Sequence, residues 1–254
     1  MNKKTIITIA AALLLAFPSF AQYWTTRTTY DPFKNGEKHL GVAVGLGGWF
    51  GKGEAIINNS IGSLAGYRTT KVSRLPICPT ASIHYKRILN GKRVDWGNSF
   101  LISFNKWMGT VKGINDSSAT TFTSKYSYAD ITITDHYTLM IPIGDNMHVS
   151  AGVGMTIGVS IKPKASIEFS DGNTESLSYG LNVSELLIAR LDAVLGFDYN
   201  INDTFTLNAI LVGYPIDIFG DMINDNPGYH NIGEAINVTN KFPFQLMVGC
   251  TFAL

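Results

Sequence analysis

Six ionisable residues stand at positions that a β-strand would turn to one side: His84 with Lys86, His136, Lys162, and Arg190 with Asp192. Residues two apart share a strand face. An imidazole next to an ammonium or carboxylate can pass a proton, and an arginine beside an aspartate can hold a charge-assisted pair. Their same-face neighbours are small or polar, among them Thr80 and Ser82, Thr132, Thr134 and Thr138, and Ser150, Gly152, Gly154, Thr156 and Ser160. Charges on such a face either pair with one another in a narrow polar interior or line a gated, proton-conducting passage. An ionised group in a dry interior must be paired or it changes its protonation. A network of paired charges filling the interior is the preferred reading.

Other chemistry finds little support. His84 and His136 are the residues that a lipid-modifying activity would use, but no spacing ties either to a serine nucleophile, so no catalytic residue is assigned. "GVGMTIG" has glycine spacing without a following helix and is no nucleotide loop. No clustered Cys/His pattern suggests a metal, and no cofactor is implied. Lys and Arg number 20 against 19 Asp and Glu in 254 residues, which gives no reason to expect nucleic acid as a partner.

The elements that carry these residues announce themselves by period. In "VSAGVGMTIGVSIK" (Val149 to Lys162), Val149, Ala151, Val153, Met155, Ile157, Val159 and Ile161 alternate with Ser, Gly, Thr and Lys. Period 2 means a strand with one apolar face. Seven further segments alternate in the same way: Leu40 to Phe50, Pro76 to Leu89, Asn98 to Val111, Tyr126 to Ile143, Glu185 to Ile201, Phe205 to Phe219 and Phe242 to Leu254. The Val149 to Lys162 segment is expected to continue its apolar face through Ala165, Ile167 and Phe169. These runs exceed the roughly 5–6 residues usual for soluble strands and reach the ~9–11 that a tilted strand needs to cross a bilayer. Connections after segments two, four and six are short. Those after segments one, three, five and seven are long and polar: Gly51 to Leu75, Lys112 to Lys125, Asp171 to Ser184 and Gly220 to Lys241.

Strands facing lipid cannot leave backbone groups unpaired, so the sheet must close. The fold expected is an all-β, closed antiparallel up-and-down transmembrane β-barrel, with eight strands preferred and ten possible. A barrel of eight is just wide enough inside for side chains. Small inner residues relieve crowding while the ionisable groups fill the centre. Aromatic girdles are expected from Tyr85, Trp96, Phe100, Tyr199, Phe205 and Phe252 at one rim, and from Trp49, Phe50, Phe169, Phe219 and Phe242 at the other. Asp135 interrupts an apolar face and is read as marking a β-bulge. Cys78 and Cys250 fall at opposite ends and on opposite faces, so two free thiols are expected. "MNKKTIITIAAALLLAFPSFAQ" has the basic start, apolar core and small-x-small site of a cleavable signal peptide, residues 1–21. A short periplasmic segment, 22–38, precedes the barrel, 39–254.

With these features the chain resembles the small outer-membrane β-barrel family of Gram-negative bacteria over about Leu40 to Leu254. The most specific motif is the final "MVGCTFAL", where Gly249, Phe252 and Leu254 match a terminal polar-x-Gly-x-x-aromatic-x-hydrophobic signal. Met247 departs from its polar position. The resemblance implies an outer-membrane location with both termini periplasmic, contact with outer-membrane lipid, and recognition of the C-terminal strand by the assembly machinery. It also implies a monomer with a structural or surface-interaction role, whose four long extracellular loops meet a ligand the sequence does not name. A narrow channel for small solutes or ions is the alternative, and a lipid-modifying enzyme a weaker one.

Overall fold

The computed structural model describes residues 36–50, 54–57, 64–72, 78–89, 95–143, 145–177, 187–218, 229–232, 236–239 and 242–254. The expected signal peptide lies outside the described residues, as does Phe219. So do the side chains of Trp49, Phe50, Lys162 and Phe242. The described residues form strands β1 (Glu37–Phe50), β2 (Glu54–Ile57), β3 (Tyr67–Val72), β4 (Cys78–Leu89), β5 (Asp95–Asn115), β6 (Thr121–Pro142), β7 (Met147–Phe169), β8 (Thr174–Leu177), β9 (Leu187–Asn200), β10 (Phe205–Asp217), β11 (Tyr229–Ile232), β12 (Ile236–Thr239) and β13 (Phe242–Ala253).

Eight of these close a ring in the order β1, β4, β5, β6, β7, β9, β10, β13, and every pairing is antiparallel. The ring is sealed where β1 meets β13 in unbroken register from His39↔Ala253 to Phe50↔Phe242. The chain is thus an eight-stranded β-barrel, and β3 and β8 are additions to it rather than ring members. We call the end where β1 starts and β13 finishes the terminal end, and the opposite one the far end.

The polarity of the barrel is inverted relative to a soluble protein. Val44 and Leu46 on β1 are each 60% exposed and Val248 on β13 is 54% exposed, whereas Ser82, Thr134, His84 and Arg190 are buried. In water each exposed Leu, Ile or Val would forfeit roughly 1.5–3 kcal/mol of burial. A bilayer removes that cost, and closure of the ring removes the sheet edges that a bilayer would not tolerate.

Strands β5, β6 and β7 run 21, 22 and 23 residues. At about 3.3 Å per residue they extend some 70 Å, well past a hydrocarbon core of about 30 Å. The expected loop Lys112–Lys125 is therefore mostly strand, with its turn confined to Asp116–Thr120. The other expected far-end loops contain β2, β3, β8, β11 and β12. Aromatic and β-branched residues such as Val111, Phe122 and Tyr126 favour strand and bury one face there. On these projections the polarity reverts. Inside, Trp107, Val111, Phe122, Tyr126 and Ile167 form an apolar cluster with Leu64, Val72 and Ile236. Outside, Lys106, Lys112, Lys125, Lys164 and Glu168 are exposed.

Strand β7 reaches this reversal by a different route from its neighbours. Its register against β6 shifts between Ser127 and Ala129, where Ser127↔Lys164 follows Ala129↔Ile161. The extra residue falls at Lys162–Pro163. Proline has no N–H to give the ladder and settles at bulges, and one inserted residue sends every later side chain to the other face. This corrects the expectation for the end of the strand. Ile167 is fully buried, and Phe169 packs 5.9 Å from the Tyr67 ring rather than joining an outer girdle.

The bulge expected at Asp135 is absent. Phe100↔Asp135 and Asp135↔Met155 lie in continuous register. Asp135 keeps its outward place because the Asn98 Nδ2 donates to its Oδ1 at 2.7 Å. At the terminal rim Trp96, Tyr199 and Phe252 are exposed outward, and the Phe205 and Phe252 rings lie 5.0 Å apart. Cys78 and Cys250 are free thiols, Cys78 buried at the far end and Cys250 beside Val42 and Leu207 near the terminal end.

Candidate functional site

The lumen is the candidate site. Alternation turns His84 and Lys86 inward from β4, His136 from β6, and Arg190 and Asp192 from β9, and all five are buried. The sixth expected member, Lys162, sits at the bulge with a side chain outside the described set. The pairing runs between strands: Lys86–Asp198 spans the lumen, His136–Asp192 bridges over β7, and Arg190–Asp217 joins neighbours in the β9–β10 ladder. Lys86 pairs with Asp198 of β9. His136 Nε2 lies 3.2 Å from Asp192 Oδ2, which also accepts from Thr156 Oγ1 at 2.6 Å. Arg190 lies 3.4 Å from Asp217 Oδ2, with its guanidinium carbon 5.3 Å from the centre of the Tyr214 ring.

A glycine makes room for one of these contacts. A Cβ on Gly154 would stand 2.3 Å from the Asp135 carbonyl oxygen and 2.4 Å from His136 Cδ2. The bare backbone lets the imidazole lie flat against β7 and reach Asp192.

Towards the far end, uncharged groups span the lumen. Gln245 of β13 is their hub. Its Nε2 donates to Asn105 Oδ1 at 2.9 Å and to Thr80 Oγ1 at 3.2 Å, and its Oε1 accepts from the Tyr214 hydroxyl. Asn105 in turn donates to Thr132 Oγ1 at 3.2 Å. Above this knot Asp130 accepts from Trp107 Nε1 and from Ser160 Oγ, each at 2.8 Å. Below it Ser82 and Ser103 share a hydrogen bond of 2.8 Å. A second group of buried residues, Leu101, Val194, Ile210, Val212 and Met247, packs between these layers.

Sequence reasoning missed Asp198, Asp217, Asp130, Tyr214 and Gln245 as network members. Asp198 and Gln245 carried a signal, since both fall on the inward phase of their segments. Asp217 carried none: the ladder shifts between Gly213 and Ile216, so strict alternation loses its phase there.

This arrangement neutralises charge and fills space. The largest functional groups are tied to each other, and a cavity lined by His84, Lys86, Ser99, His136, Thr138, Ser150, Val194, Gly196, Asp198 and Ile210 has a volume of about 20 Å³. That is room for about one water molecule. In the C-terminal motif, Phe252 and Leu254 face outward and Gly249 faces inward; a Cβ at Gly249 would stand 2.3 Å from the Val42 carbonyl oxygen of β1.

No protein-family model matches the chain, and no curated protein does either. Among solved structures, the outer membrane protein OprG from Pseudomonas aeruginosa is 12% identical, with a TM-score of 0.46, covering 86% of this chain and 96% of its own. Ail, the attachment invasion locus protein of Yersinia pestis, solved with a heparin analogue, is 15% identical at a TM-score of 0.34, covering 86% and 99%. Neisserial surface protein A is 11% identical at 0.33, covering 85% and 97%. These three structures are small eight-stranded outer-membrane β-barrel proteins of Gram-negative bacteria.

Proposed function

We propose that the protein is an integral outer-membrane β-barrel with a closed lumen, and that its role is structural or one of surface interaction. The terminal end faces the periplasm and the far end the outside, where β2, β3, β8, β11, β12 and the projecting parts of β5 to β7 present the contact surface. The observation that carries this reading is the Gln245 knot, which joins β13 to β4 and β5 across the lumen and to its neighbour β10. A solute path would have to break it. The same geometry speaks against lipid modification, because His84 and His136 face the lumen and are each 1% exposed, out of reach of an acyl chain on the outer wall. The C-terminal strand closes the ring against β1, which suits its proposed recognition during assembly.

Planar-bilayer recording of the purified protein tests the reading. A flat baseline is the expected result. A steady ohmic conductance, lost when Arg190 is replaced by a bulky apolar residue, would instead establish the narrow-channel alternative.

A further inference from the structure

Hydrogen bonding differs between the Gln245 knot and the terminal half of the lumen, while Ser124 Oγ on the far projection also lacks a partner. In the far half the large polar side chains around the knot are satisfied: Gln245, Asn105, Thr80, Tyr214, Trp107, Asp130 and Ser160 all have partners. In the terminal half they are not. Both ring nitrogens of His84 lack a hydrogen-bond partner, as do both amide atoms of Asn208; Oδ1 of Asp192, deeper in the lumen, also lacks one. His84 is 1% exposed and Asn208 5%. A buried polar group without a partner is destabilising, so four such atoms gathered in one half are unexpected in a stable barrel.

They are also gathered around one space. His84 lines the cavity of about 20 Å³ together with Lys86, Ser99, His136 and Asp198. Asn208 stands directly opposite Asp198 in the β9–β10 ladder. Asp192 is joined to the cavity wall through His136. A water needs roughly 10–15 Å³ and two to four polar partners, and this wall offers both. A larger guest does not fit, and no group of three His, Cys, Asp or Glu among the described residues is placed to hold a metal ion.

We propose that the terminal half of the lumen is a built water site, in which a bound water bridges the His84 ring to the Lys86–Asp198 pair, and that the far half is a dry seal. The barrel is then a blind vestibule, wet from one end only. The division rests on the lumen geometry and holds whichever partner the far end meets.

The test uses the folded full-length protein in detergent micelles, with labelled histidine and glutamine side chains. Water cross-relaxation is measured by NMR at the His84 ring and at the Gln245 amide. His148, partly exposed near the terminal mouth, serves as the positive control, and His84→Gln assigns the signal. The expected result is a water cross-peak at His84 and none at Gln245. A silent His84 beside a responsive His148 overturns the water site, and a water cross-peak at Gln245 overturns the dry seal. A stability measurement provides a second arm. In a dry site His84→Leu removes an unsatisfied ring and raises the urea midpoint, whereas in a hydrated site it leaves the midpoint unchanged or lowers it. A raised midpoint therefore also overturns the proposal.

Discussion

Lys86 of β4 and Asp198 of β9 face each other across the lumen as an ion pair in which each side chain is only 7% exposed. Removing one partner of a buried pair leaves an uncompensated charge and costs about 3–5 kcal/mol, while replacing both by apolar groups of similar volume is often neutral. Asp198→Ala is therefore expected to lower stability by about that amount, and the double change Lys86→Met with Asp198→Leu to recover most of it. Urea titration followed by the gel shift between folded and unfolded forms reads both. Equal losses in the single and double variants would show that the pair contributes shape rather than charge balance.

Gln245 is the hub of the far-half knot. Gln245→Leu keeps the approximate volume but takes a partner from Asn105 Oδ1, Thr80 Oγ1 and the Tyr214 hydroxyl. Each loss carries an expected cost of about 1–3 kcal/mol, and the three are coupled, so the measured drop should fall short of their sum. A double-mutant cycle with Tyr214→Phe gives the coupling: Tyr214→Phe should cost clearly less when Gln245→Leu is already present than it does alone.

Gly154→Val should impair barrel formation. The new side chain meets the Asp135 carbonyl and the His136 ring, and a backbone carbonyl within a ladder cannot give way. Overpacking of this kind costs about 1–3 kcal/mol or more. The fraction that refolds into lipid vesicles, read by heat-modifiable migration, should fall relative to Gly172→Asn. Gly172 is a turn position where nothing lies within 4 Å, and Asn tolerates its positive φ better than other side chains do.

Val248 tests the solvent of the outer wall. It lies outward and is flanked by Val44 and Ala209. In a bilayer Val248→Arg should cost about 2–4 kcal/mol if the position is near the midplane, and variants at Gln245 should not share that dependence on lipid thickness. A neutral effect in vesicles would mean that this face does not meet hydrocarbon.

At the far end Arg68 Nε donates to Asp116 Oδ2 at 2.7 Å, fully in solvent. That hydrogen bond is the main reason the Asp116 carboxyl is held below its ordinary range. A carboxylate with a lowered folded value stabilises above its unfolded value, near ~3.9, and loses that contribution as pH falls through the folded value. The protection of the β5–β6 turn amides, the intrinsic exchange rate at each pH divided by the measured one, should therefore fall on acidification below about pH 4. Asp116→Asn should remove the pH dependence of that protection and not merely shift it.

Much of the fold was legible because lipid and lumen impose opposite demands on alternate residues. Val42, Val44 and Leu46 against Gly41, Ala43 and Gly45 state both demands in one short run. What alternation does not carry is the partner across the barrel. Lys86 meets Asp198 only because eight strands close with one particular stagger, and stagger is a property of the ring rather than of any segment. Local insertions escape for the same reason. Pro163 was visible as a residue, but its effect on the phase of Ile167 and Phe169 depends on the ladder with β6. Asp135 looked like a break, yet Asn98 on the neighbouring strand supplies what it needs.

The bulge at Lys162–Pro163 has a practical consequence for how this protein can vary. Below it β7 belongs to a wall that dissolves in lipid; above it, to a sheet packed like that of an ordinary water-soluble protein. The two share strands but not side-chain rules, so the upper part can be shortened, exchanged or grafted along β5 to β7 with little effect on the part that anchors it. A cut placed on the far side of Pro163 should leave a smaller barrel that still inserts. Deleting the extra residue while keeping the upper strand would instead turn Ile167 outward.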